Sequence, residues 1–205
     1  MWHSVWTDGH PGWSNHGTEQ SDNAQMIAEA LAGSGIGITK NAAAGILGNM
    51  TRESFLNPGQ WEMGYNMAPS SGFGLGQWTP STKFSNWLGT TNPADMQNGN
   101  KQIEFLLLNN PNQWSTYYVD MNTGYSSYYN VYVPILPTIT DYFLSNATVA
   151  ELATAWMVYW ERPGSGGAGT QYRIDEAEYW YDHIDYHPSL PIWLIAKASQ
   201  NWRQL

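Results

Sequence analysis

Asn41-Ala42-Ala43-Ala44-Gly45-Ile46-Leu47-Gly48-Asn49-Met50-Thr51-Arg52-Glu53 is the stretch on which the reading of this chain turns. It reads as a helix with Thr39 as its cap. Ile46, Met50 and Glu53 are spaced by four and then three, so they share one face. That face is apolar until its last member, a carboxylic acid. An apolar surround disfavours the charged form of a carboxyl. The last turn of a helix, with its negative dipole end, pushes the same way. A carboxyl that keeps its proton near neutral pH can protonate a leaving oxygen, which glycoside cleavage requires. The expectation is that Glu53 is a general acid facing a cleft.

The next residues extend this reading. Ser54-Phe55-Leu56-Asn57-Pro58 ends the helix, because Pro58 disfavours helical geometry at Asn57. Ser71-Gly72-Phe73-Gly74-Leu75-Gly76-Gln77-Trp78-Thr79 follows. Glycines at alternate positions let backbone approach a ligand or another chain segment. Gln77 offers amide donors and an acceptor, and Trp78 a flat face, as sugar hydroxyls and rings require.

Three motifs carry a resemblance. Gly48-Asn49-Met50-Thr51-Arg52-Glu53-Ser54-Phe55-Leu56-Asn57-Pro58, then Gly74-Leu75-Gly76-Gln77-Trp78, then Tyr159-Trp160-Glu161-Arg162-Pro163-Gly164 resembles the phage tail lysozyme family, over roughly Asp22 to Asp185. The resemblance implies a mainly α, lysozyme-like helical domain. A small irregular or β-containing lobe would form one wall of a cleft. It implies a glycosidase that cuts the MurNAc–GlcNAc backbone of bacterial peptidoglycan, with Glu53 as catalytic acid. The sequence leaves open a muramidase, a glucosaminidase or a lytic transglycosylase. Glu62, in the segment that would form the lobe, is the candidate second carboxylate, set against a simple exposed residue. Gln77, Trp78 and Tyr65 would hold sugar. By resemblance Glu161 lies near the cleft and orients groups around Glu53; an Arg-paired helix end is the other reading. An inactive glycan-binding module or a structural tail component remain alternatives to the enzyme.

Composition narrows the classes. At 205 residues the chain suits one domain. The expected division is an arm over 1–20, a lysozyme-like domain over 21–187 and a C-terminal segment over 188–205. No apolar run of about 18 residues is present, so no membrane partner is expected. No secretory signal is visible, which suggests release by lysis or carriage in a particle. The protein would then be extracellular or virion-associated, with other phage tail proteins as partners. Cysteine is absent, which excludes disulfides, thiol catalysis and cysteine-based zinc sites. The 8 basic and 17 acidic residues give a net charge of −9, and the basic ones are scattered, so no nucleic-acid partner is expected.

Elsewhere the chain reads as helices between glycine-rich turns. A helix is predicted from Asp22, with Gln25 closing a capping box. Gly33, Gly35 and Gly37 stop it. Thr79-Pro80 reads as a helix start. A helix over Asp95 to Asn109 follows, weakened by Gly99. The tyrosine-rich stretch from Asn109 to Val133 is either an aromatic platform or an irregular lobe packed on the helices. A short helix interrupted by Pro137 spans Ile135 to Leu144. Thr148 and Glu151 form a second capping box, opening a helix with Leu152, Ala155, Trp156 and Tyr159 on one side. The two glycine-rich runs, at 33–37 and 164–169, follow helices rather than strands, so no nucleotide cofactor is expected. His183 and His187 could meet on a helix, but the glutamate of a zinc peptidase is missing, so no metal is expected. The last helix runs from Gln171 to Ile184, and Ser189 to Leu205 reads as a C-terminal helix or a stub.

Overall fold

The computed structural model describes residues 1–109 and 113–188, and its axis is helix α2 (Lys40–Ser54), buried on all sides from Ala42 to Thr51. Helices enclose a strand of chain this tightly only where it carries small side chains. A Cβ on Gly48 would collide with the Arg173 carbonyl and stand 2.7 Å from the Ala177 Cβ. One on Gly45 would stand 2.6 Å from the Tyr142 hydroxyl. Through these gaps α8 (Thr170–His183) and α7 (Val149–Trp156) press onto α2. Thr39 caps α2, its hydroxyl accepting the Ala42 N–H. The helix stops at Ser54, earlier than Pro58 demands, because Phe55 and Leu56 take left-handed geometry at φ 52° and 60°.

Helix α1 (Thr18–Ala32) buries Ala24, Ile27, Ala28 and Leu31. It starts one turn before the predicted Asp22, whose carboxylate faces the His3 ring at 2.8 Å instead of capping a helix. Helix α3 begins at Thr82 (Thr82–Leu88), not at Thr79-Pro80, since the Thr79 hydroxyl donates back to the Gln77 carbonyl. The single helix expected from Asp95 to Asn109 is two, α4 (Pro93–Met96) and α5 (Gly99–Asn109). The break falls where the Trp2 indole crosses the chain, against the face a Cβ on Gly99 would occupy. Helix α6 (Ile139–Phe143) starts after Pro137, with a Thr138–Asp141 capping box. Thr148 and Glu151 cap α7 as predicted, and the chain runs on through a π turn, Met157–Glu161.

Strands are few and short. β1 (Thr7–Asp8) pairs in parallel with β2 (Gln60–Trp61), and β3 (Tyr125–Ser126) pairs antiparallel with β4 (Val131–Tyr132). The fold is therefore mainly helical, as the resemblance implies. The first sheet fastens the N-terminal arm to the lobe between α2 and α3. Trp6 packs edge-on against Trp61 at 5.5 Å and against Phe73 at 5.4 Å. The tyrosine-rich stretch is an irregular lobe: Tyr129 is buried, and Tyr118, Tyr128 and Tyr129 pack on one another. Residues 189–205, read above as a C-terminal helix or stub, lie outside the described residues.

Helix α8 corrects one expectation. Its inner face carries Arg173 and Glu176 beside Ala177 and Trp180, so two charged residues are buried there. It ends at His183, and Ile184 turns extended, so His183 and His187 share no helical face. The His183 ring lies on the Tyr179 carbonyl at 2.7 Å, and His187 faces Asp185 at 2.8 Å.

Candidate active site

A cleft of about 490 Å³ opens where the end of α2, the π turn after α7, the lobe and the N-terminal arm meet. Glu53 and Glu161 lie in it, with Gln60, Glu62 and Gln77 from the lobe and Gly9 and His10 from the arm. The lobe thus forms one wall, and the arm adds to it.

Glu53 occupies the last turn of α2, and its side chain keeps 22% exposure. Its setting is not the apolar one that the Ile46–Met50 stripe predicts. Arg173, itself only 4% exposed, donates from Nη2 to Glu53 Oε1 at 2.5 Å. The close approach at Gly48 brings α8 and its guanidinium to this point. Arg173 Nη1 also donates to the Asn49 carbonyl at 3.4 Å. Gln60, buried in the lobe, donates to the Glu53 backbone carbonyl at 3.2 Å.

Glu161 is the carboxyl held out of its ordinary state. Burial raises its pKa to about 8, and the neighbouring charge of Glu53 adds to the rise. Arg173, a hydrogen bond from Trp156 Nε1 at 3.1 Å, and Arg162 pull the other way without restoring it. Desolvation and a like charge both disfavour a second anion here. Glu161 therefore keeps its proton near neutral pH, beside the Glu53 carboxyl and the buried Arg173. Arg162 is not the partner of Glu161; its Nε donates to the Trp160 carbonyl at 3.4 Å.

The remaining predicted residues divide. Glu62 lines the cleft and accepts the Gly72 N–H at Oε2, 2.9 Å away. Gln77 also lines it, but its amide donates to the carbonyls of Gln60 (3.2 Å) and Gly74 (3.0 Å), so it braces the wall. The glycines around it accommodate chain rather than ligand: a Cβ on Gly74 would stand 2.5 Å from Gln102 Oε1. Trp78 is not a sugar platform. It is 3% exposed, stacked on Phe84 and edge-on to Phe105 in the core. Tyr65 is exposed and stands outside the cleft lining. Sequence reasoning missed Arg173, Gln60 and His10. Only Arg173 left a trace, since it falls in register with Ala177 and Trp180 on α8.

A carboxyl rooted on a buried central helix, in a cleft walled by a small β-containing lobe, defines a lysozyme-like protein. The chain belongs to the phage tail lysozyme family, whose sequence profile matches residues 22–184. It is 34% identical over 163 residues to Morphogenesis protein 1 of Bacillus phage B103, a stretch that covers 80% of this chain and 39% of that protein. The chain thus spans well under half the length of that relative. Among the described residues no helix is long and apolar enough to cross a membrane.

Proposed function

We propose that this protein cuts the glycan strands of bacterial peptidoglycan, with Glu53 delivering the proton to the glycosidic oxygen. The observation that carries this reading is the Glu53–Glu161 pair set around buried Arg173 in an open cleft. Burial and the Glu53 charge keep one proton on Glu161 near neutral pH, beside Glu53, which lies within the cleft and can relay it. Glu53, at the end of α2, hands it to the leaving oxygen. Glu161 is a positioning residue that keeps the pair protonated. Arg173 limits the charge left on Glu53 after transfer. Glu62, one oxygen bound to the Gly72 N–H, stands on the facing wall as the second carboxylate, orienting water or stabilising the oxocarbenium-like transition state. Other phage tail proteins are the proposed partners, and the virion the proposed setting.

The test is digestion of purified peptidoglycan, with the new sugar ends identified by mass spectrometry. Glu53→Gln should lower the release of ends by about 100- to 10,000-fold, the usual contribution of a general acid, with thermal unfolding unchanged in shape. Wild-type-like release from that variant overturns the assignment. A second reading is a tail component that binds glycan without cutting; the Bacillus phage B103 relative is named for morphogenesis, not for hydrolysis. On that reading neither wild type nor variant produces new ends, and both bind glycan alike.

A further inference from the structure

Two basic side chains in this acidic protein reach the same cleft from elements far apart in sequence. Arg52 lies in the last turn of α2 and His10 on the N-terminal arm, which precedes the family-matched residues 22–184. Phe55 is shared by both: the His10 ring packs on it at 3.9 Å, and Arg52 and Phe55 together line a smaller hollow with Tyr172 that adjoins the cleft. Arg52 makes no ion pair among the described residues. His10 Nδ1 accepts the Gly12 N–H at 2.9 Å. The neutral ring then carries its proton on Nε2, a donor with no partner among the described residues.

The arm that brings His10 here is fixed, not draped. Gly9 N–H donates to the Trp61 carbonyl at 3.1 Å, and Gly64 N–H to Asp8 Oδ1 at 3.0 Å. Asn57 bonds both the N–H and the carbonyl of Val5. A guanidinium and a ring N–H at the same cleft as an aromatic face make a receptor for a carboxylate carried on an apolar stem. Such a ligand would otherwise be repelled, because the rest of the cleft presents Glu62 and Glu53, with Glu161 protonated beside them.

We infer that Arg52, Phe55 and His10 form an anion subsite that takes a carboxylate-bearing substituent of the glycan, which makes the cleft prefer carboxylated sugars to neutral ones. This rests on the glycan-cleaving reading, and its test separates the two. Binding is measured calorimetrically on Glu53→Gln protein, which holds ligand uncut. The probes are a neutral tetrasaccharide of β-1,4-linked N-acetylglucosamine and an alternating GlcNAc–MurNAc tetrasaccharide with free lactyl carboxylates. Adding Arg52→Met should weaken the carboxylated ligand roughly tenfold or more, the loss of a charge-assisted contact. Adding His10→Phe should weaken it by a smaller factor. The neutral ligand should change less than twofold, which also reports that the variants are folded. Equal weakening of both ligands, or no change in either, overturns the subsite. If the preference is found but the wild type releases no ends from peptidoglycan, the subsite stands and the glycosidase reading falls. A Glu53→Gln protein that binds neither tetrasaccharide overturns both.

Discussion

At the scale of single residues, the site is three charges arranged so that one proton stays. Arg173 is buried, Glu53 is partly open to the cleft, and Glu161 is pushed up to about 8 by burial and by Glu53. A carboxyl whose folded-state pKa is raised binds its proton more tightly folded than unfolded. Its contribution is complete below the ordinary value of 4.5 and is lost as pH rises through about 8. Unfolding by urea at pH 5, 7 and 9 should therefore show stability falling across that window. Glu161→Gln should flatten the fall, because the neutral amide has no proton to lose; a variant that keeps the wild-type slope would refute this account. Arg173→Met strips the pair of its cation. The cost should be about 2–3 kcal/mol, below the about 3–5 kcal/mol of a fully buried pair because Glu53 is partly solvated, and denaturant midpoints measure it. Sequence periodicity could find Glu53, since Ile46 and Met50 mark its face. It could not find Arg173, whose partner lies 120 positions away. Nor could it separate a tryptophan that stacks on sugar from Trp78, which packs on Phe84 and Phe105.

At the scale of elements, caps and glycines decide where helices end and how closely they meet. The boxes at Thr148–Glu151 and the Thr39 cap were legible because each closes within four residues. The start of α1 and the split between α4 and α5 were not, because tertiary neighbours set them. Trp2 arrives from the far end of the chain to occupy the space at Gly99. The same kind of contact holds the site together at Gly48, where α8 meets α2. Gly48→Ala should cost at least the about 1–3 kcal/mol typical of overpacking, because backbone rather than a flexible tip blocks the new methyl. It should also lower glycan cleavage beyond what the lost stability explains, since any retreat of α8 withdraws Arg173 from Glu53. Denaturant midpoints and release of sugar ends, measured on the same preparation at a temperature where the variant stays folded, check both. A destabilised variant with full specific activity would show that the α2–α8 spacing does not tune the site.

At the scale of the whole molecule, the arm and the net charge set how a polymer meets the cleft. The arm was legible only as residues 1–20; pairing of Thr7–Asp8 with Gln60–Trp61 makes it part of the wall, a contact no local pattern encodes. The charge was legible at once: −9, from 17 acidic and 8 basic residues. An anionic protein approaching an anionic wall is repelled at long range, and salt weakens that repulsion, with a screening length of about 10 Å at 0.1 M. Inside the cleft the opposite holds, because Arg52 and His10 contact their ligand at distances salt screens poorly. The two effects predict a definite profile. Initial rates of wall digestion should stay level or rise as sodium chloride increases from about 50 to 300 mM, while rates on a short neutral oligosaccharide change little. A steep fall with salt, the signature of binding steered by positive charge, would mean that some basic surface other than this chain's acidic exterior governs delivery to the wall.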